Sequence, residues 1–201
     1  MNVAVALNRT IDLGDRVIAT DDLRWRKLHD IIEANALFRG EFTLSSGQKS
    51  NYFFQLRQAT MHREGARLIG QVIVEFMRNH GIKCVGGLEL GAVPLVQSAI
   101  CIGAEVGYPI DGFFVRKKAK VHGAKELVDG FAAKGTEILA VDDVTTTGKS
   151  MMKVLTGLAE ERDCEVKWGL SVVDREQGAT EELDRHGVKL VSIFKRSDFG
   201  L

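Results

Sequence analysis

The sequence predicts an α/β domain built on a doubly wound, mostly parallel sheet flanked by helices. Three observations carry that expectation. Ile138-Leu139-Ala140-Val141 is an unbroken apolar run, the pattern of a strand covered on both faces as in a parallel sheet. Short runs of this kind alternate along the chain with stretches whose apolar residues recur at helical spacing. The run at 138–141 leads straight into Asp142-Asp143-Val144-Thr145-Thr146-Thr147-Gly148-Lys149-Ser150. A polar cluster therefore stands at the carboxyl end of a strand, where open α/β sheets hold their ligands.

Composition narrows the class. The 201 residues suffice for one domain with a real core, and 45% are hydrophobic, as in soluble globular proteins. Lys+Arg and Asp+Glu both number 27, so the net charge is zero and no global field favours nucleic acid or an anionic membrane. No apolar run approaches the ~18 residues that span a bilayer, and the N-terminus lacks the pattern of a secretory signal. Cys84, Cys101 and Cys164 are odd in number and far apart. They read as reduced thiols of a cytoplasmic protein, not a disulfide framework or a zinc site.

Residues 1–20 mix short apolar pieces with Asn8, Asp12, Gly14 and Asp15, and the sequence assigns them no role. Leu28, Ile31, Ile32 and Leu37 predict a helix from Asp22 to Arg39, with Asp21 or Asp22 as N-cap and Gly40 as its stop. Phe42 to Gln55 holds two β-like runs around the turn-rich Ser45-Ser46-Gly47-Gln48, hence a hairpin. Leu68, Ile69, Val72, Ile73, Phe76 and Met77 place an amphipathic helix between Met61 and His80, closed by Gly81. Cys84–Gly87 is a short buried strand. Its loop, Leu88-Glu89-Leu90-Gly91, offers backbone N–H groups ahead of a helix that Pro94 begins. That helix continues through residues 95–106. Phe113–Val115 is the next strand. After 138–150, Met151, Val154, Leu155 and Leu158 trace a helix, Leu170–Val173 a buried strand, residues 180–187 a short helix, and Val188–Phe194 a last strand.

The turn at 142–150 has the chemistry of an anion site. A helix N-terminus leaves free N–H groups at the positive end of the helix dipole. Gly148 lets the backbone approach a ligand, and the hydroxyls of Thr145, Thr146, Thr147 and Ser150 donate to phosphate oxygens. Asp142 and Asp143 would repel phosphate and need donors, which sugar hydroxyls supply. A ribose 5-phosphate satisfies both halves. Gly148-Lys149-Ser150 is not the end of a P-loop, which requires a glycine where Asp143 stands, and Gly86–Gly91 misses a dinucleotide fingerprint at Leu88.

A second cluster lies at Arg116-Lys117-Lys118-Ala119-Lys120-Val121-His122-Gly123-Ala124-Lys125. It carries five cations and a histidine within ten residues of a neutral chain. Cations this dense repel one another until an anion arrives, and a departing pyrophosphate is such an anion.

Val141-Asp142-Asp143-Val144-Thr145-Thr146-Thr147-Gly148 closely resembles the phosphoribosyl-pyrophosphate (PRPP) motif of the type I phosphoribosyltransferases. Three further segments resemble their orotate-specific branch. These are the hairpin at 42–55, the Arg-Lys-x-x-Lys-x-His-Gly pattern beginning at Arg116, and Asp174-Arg175-Glu176-Gln177-Gly178. The likeness runs from about residue 37 to residue 195.

The resemblance implies one phosphoribosyltransferase domain, with an N-terminal extension and hood over about 1–56 and a PRPP-binding core over about 57–201. It implies transfer of the ribosyl phosphate of PRPP to orotate, giving orotidine 5′-phosphate and pyrophosphate. The implied catalytic residues are Lys117, Lys120, His122, Asp142 and Asp143. PRPP would also meet Arg116, the backbone at Leu90 and Gly91, and Val144, Thr145, Thr146, Thr147, Gly148, Lys149 and Ser150. Phe53, Phe54, Thr146 and Arg175 would hold orotate. Arg175 suits that part by its own chemistry, since a guanidinium matches a carboxylate bidentately. Adjacent rings on a strand face opposite ways, so one of Phe53 and Phe54 would stack while the backbone serves at the other. Mg²⁺ is implied as cofactor, held mostly by PRPP oxygens and water, with no protein cluster dedicated to it. A homodimer is implied, the basic loop of each subunit reaching into its partner's site. Two departures stand out. Ser45 occupies the place of a lysine found in many members, and the loop at 88–94 lacks a tyrosine–lysine pair common in bacterial ones. The alternatives are a transferase for another base, or a PRPP-sensing regulator that binds nucleic acid. The basic loop, of no use to a sensor, and the lack of an extra basic helix argue against the latter.

Overall fold

The structure, a computed structural model, describes residues 14–43, 49–118 and 126–201. Ser45, Lys120 and His122 lie outside the described residues. Helix α1 (Leu23–Asn35) starts as the sequence indicates: Asp22 has extended backbone angles, and the Arg24 amide donates to its carboxylate at 2.7 Å. It ends four residues earlier than helical spacing predicts. Leu37 opens strand β1 (Leu37–Thr43), which pairs antiparallel with β2 (Lys49–Phe54), Leu37 opposite Phe54 and Arg39 opposite Tyr52. Cross-strand pairing overrides local periodicity here. Gly40 does not stop a helix; it sits at a register irregularity between Arg39 and Phe42 with φ +144°, a value that suits glycine.

A short helix α2 (Arg57–Thr60) leads to α3 (Arg63–His80), which Gly81 closes in the left-handed conformation. Then follow β3 (Cys84–Leu88), α4 (Ala92–Glu105), β4 (Asp111–Val115), β5 (Val128–Gly130), β6 (Glu137–Thr145), α5 (Lys149–Glu161), β7 (Glu165–Asp174), α6 (Ala179–Asp184) and β8 (Lys189–Lys195). Helix α4 begins before Pro94, which is its third residue and still lies in the first turn, where a missing N–H is harmless.

The central sheet has the order β5-β4-β3-β6-β7-β8. All neighbours in it are parallel except β5 against β4. The 138–141 run is buried throughout and alternates sides. Leu139 and Val141 join the core under α1, α3 and α4, and Ile138 and Ala140 join the one under α5. After β3 the chain turns to β4 on one side, and after β6 to β7 on the other. The two central strands therefore part at their carboxyl ends, the switch point at which α/β sheets form a crevice.

The stretch before α1 packs along the outer edge of β8. Its Asp15 carbonyl accepts from the Ser192 amide at 2.9 Å, and the Val17 amide donates to Ser192 at 3.1 Å. Arg16 donates twice to the Asp198 carboxylate, each bond 2.7 Å, and Ile18 is buried. Covering a strand edge in this way withholds it from other chains.

Candidate active site

Strand β6 runs on through the acid pair to Thr145, because β7 pairs with it along its whole length, Asp142 opposite Ser171 and Thr145 opposite Asp174. Alternation along the strand then sends the two acids to different neighbours. Asp142 lies near Ser150 at the start of α5, whose hydroxyl works against the rise of its pKa. Asp143 faces the loop after β3: a Cβ on Gly91 would lie 2.5 Å from its Oδ1. Gly91 has ordinary helical angles, so the position demands space, not conformational freedom. Arg57 of α2 is the cation that acts on Asp143.

Both carboxyls titrate high. Burial, reinforced by the Asp143 charge, pushes Asp142 up to about 8. Burial also raises Asp143, against the pull of the Val144 amide, which donates at 2.9 Å, and of Arg57. Two crowded, desolvated acids at a crevice favour a ligand that donates hydrogen bonds or brings positive charge.

The turn beyond them is set by Gly148, whose φ of +75° places it in the left-handed region at the N-cap of α5. No side chain caps the first turn of α5, so its N–H groups are left for an anion. Thr146 and Val144 are half-buried; Thr147 and Lys149 are exposed. Thr145 differs from expectation. It is 1% exposed with its hydroxyl buried and unpartnered, and only its backbone reaches the corner.

The loop after β3 brings Leu90 to the surface, and its Glu89–Leu90 peptide is cis. Glu89 accepts from the Lys117 amide at 2.9 Å and so ties this loop to the root of the basic segment. Arg116 pairs with Asp129 of β5 at 2.5 Å and lies 5.4 Å from the centre of the Phe114 ring. Lys117 is exposed.

Arg175 lies beside this corner, its amide donating to the Thr145 carbonyl at 2.9 Å. Its side chain is buried, 8% exposed, yet no carboxylate pairs with it among the described residues. Instead Nε and Nη2 donate to the Tyr52 phenol oxygen at 3.2 and 3.0 Å, with Cζ 4.8 Å from the centre of that ring. Of the neighbouring aromatics, Phe54 is buried against Tyr52 and Phe199, while Phe53 turns the other way and is 39% exposed. Sequence reasoning missed both Tyr52 and Arg57. Tyr52 had a trace, being one residue before the two rings that were singled out. Arg57 had none.

Comparison with known proteins gives the family and the fold. An orotate phosphoribosyltransferase of Bradyrhizobium diazoefficiens is 40% identical over 177 residues, 86% of this chain and 94% of that protein. The chain belongs to the orotate phosphoribosyltransferase family. A second family member, from Corynebacterium glutamicum, is 39% identical over 175 residues, with 87% and 93% covered. Among solved structures, the Mycobacterium tuberculosis orotate phosphoribosyltransferase in complex with Fe(III) dicitrate superposes with a TM-score of 0.78 at 34% identity, covering 89% of this chain and 99% of that one. The same enzyme in complex with PRPP gives 0.70 at 28% identity, covering 89% and 93%. No protein-family model matches the chain.

Proposed function

We propose that this protein is an orotate phosphoribosyltransferase of pyrimidine synthesis, joining N1 of orotate to C1 of the ribose of PRPP as the bond to pyrophosphate breaks. The observation that carries the reading is Arg175: a buried guanidinium that no acid among the described residues neutralises, beside the turn that opens α5. An uncompensated buried charge is costly, and an anionic base removes that cost. Orotate carries a carboxylate; uracil does not.

In this reading the α5 amides hold the 5-phosphate with Thr146, Thr147, Gly148 and Lys149. Asp142 and Asp143 accept from ribose hydroxyls and favour the positive charge that develops at C1. Val144 and Thr145 contribute backbone only. Leu90 and Gly91 amides, with Arg116, Lys117, Lys120 and His122, stabilise departing pyrophosphate, for which Arg116 must exchange Asp129 for the substrate. Orotate meets Arg175, Thr146, the exposed ring of Phe53 and the backbone at Phe54, under a hood formed by the N-terminal hairpin. The β1–β2 hairpin and α1 belong to that hood, and the six-stranded sheet to the core.

Among the described residues no group of three or more His, Cys, Asp or Glu could cage a metal. Two adjacent acids whose charges cost free energy nevertheless fit a divalent cation that keeps its oxygen ligands from PRPP and water, as Mg²⁺ does. Bound there, it would neutralise phosphate charge, with Asp142 and Asp143 reaching it directly or through water. The working form is taken to be a cytoplasmic homodimer with the basic loop serving the partner's site. No helix among the described residues is long and apolar enough to cross a membrane.

Steady-state assays with orotate, uracil and purines test the reading. Turnover of orotate that depends on PRPP and Mg²⁺ is the expected result. Turnover of uracil or a purine, with none of orotate, would refute it.

A further inference from the structure

We propose that Tyr52 is a positioning residue for orotate, acting through Arg175 and resting on the function argued above. A guanidinium offers five N–H donors around a planar fork. The Tyr52 oxygen takes one from Nε and one from Nη2. That occupies the side-on edge of the fork and leaves the Nη1–Nη2 edge, which suits a carboxylate bidentately. Tyr52 thus decides which edge faces the substrate.

The phenol is well placed to do so because it is itself held. Tyr52 is 6% exposed and pairs with Arg39 across the hairpin. Its ring meets Phe54 edge-on at 5.6 Å, and its carbonyl accepts from the Ser50 hydroxyl at 2.7 Å. The ring face also attracts the cation at 4.8 Å. A neutral oxygen fixes Arg175 without cancelling its charge. An acid in the same place would fix it equally well and repel the substrate. Because Tyr52 stands on the hairpin and Arg175 after β7, the pair also sets the hairpin at one distance from the base pocket.

The test is Tyr52→Phe, which keeps the ring and removes the oxygen. Orotate and PRPP kinetics are measured in the wild type, Tyr52→Phe, Arg175→Ala and the double variant. The expected result is a KM for orotate raised about tenfold in Tyr52→Phe, the scale of hydrogen bonds to a charged group. The KM for PRPP and kcat should stay within about twofold, and the change should add nothing in the Arg175→Ala background. An unchanged orotate KM overturns the proposal. So does a parallel rise in both KM values, or a variant that fails to fold, since either makes Tyr52 a packing residue. A wild type inactive on orotate would instead remove the functional reading on which the proposal stands.

Discussion

The two halves of the site are built in opposite ways. The sugar-phosphate corner is continuous in sequence, Asp142 to Ser150, and its tools are largely backbone: strand alternation, one left-handed glycine and the uncapped amides of a helix. The base corner joins Tyr52 of the hairpin and Arg175 just past β7 of the central sheet, 123 positions apart, and its tools are side chains. The first requires only that strand and helix form. The second requires the hairpin to dock. A backbone site tolerates substitution of its side chains better than of its glycines and acids, while a side-chain site stands or falls with single groups.

The largest effect is expected in the sugar-phosphate corner. Asp143→Asn keeps the shape and removes the charge, and should lower kcat by about 10²–10³, the cost typical of a lost electrostatic group. Loss smaller than tenfold, in a progress-curve assay with both substrates saturating, would shift the chemistry away from the acid pair.

How legible each half was follows from the same contrast. The strand at 138–141, the acids, the hydroxyls and Gly148 lie within one short window, so periodicity and turn chemistry found them together. The strand's extension through the acids was not visible, because pairing with β7 decides it. Nor was the burial of Thr145, which depends on packing around the turn. Helical spacing over 28–37 misread Leu37, whose partner Phe54 lies across the hairpin. Arg175 by itself is one arginine in a charged turn, and only the resemblance singled it out. Tyr52 acquires meaning only when the guanidinium is in place beside it. Likewise the steric demand on Gly91 shows only once Asp143 is across from it.

Next in size is Arg175→Ala. Removing the guanidinium should raise the KM for orotate by about 10–100-fold, from roughly 1.5–3 kcal/mol for hydrogen bonds to a charged group, and leave the KM for PRPP within about threefold. Equal weakening of both substrates would erase the division between the corners. Gly91→Ala reverses the selectivity. Its methyl meets the Asp143 carboxylate, overpacking that costs about 1–3 kcal/mol, so the KM for PRPP should rise roughly tenfold and that for orotate little. Calorimetric Kd values for each ligand check it.

The smallest effect separates the acids by pH. In the folded protein Asp142 titrates near 8, above its unfolded value of 3.8. Between those limits the folded state holds a proton the unfolded chain has lost, so stability falls as pH rises through that window. Asp142→Asn, neutral at every pH, escapes the fall. Melting curves of ligand-free protein should show the variant gaining on the wild type from pH 5 to pH 8, by about 2–4 °C for each kcal/mol removed. A constant difference would mean that burial at Asp142 exerts no such pressure.

The most direct test of the whole account is isothermal titration of PRPP with Mg²⁺ into the folded protein, repeated in buffers of different ionisation enthalpy. The expected result is one site per chain, binding that survives Arg175→Ala, and protons released near pH 7 as the raised acids meet their donors. Absence of binding to well-folded protein would contradict it.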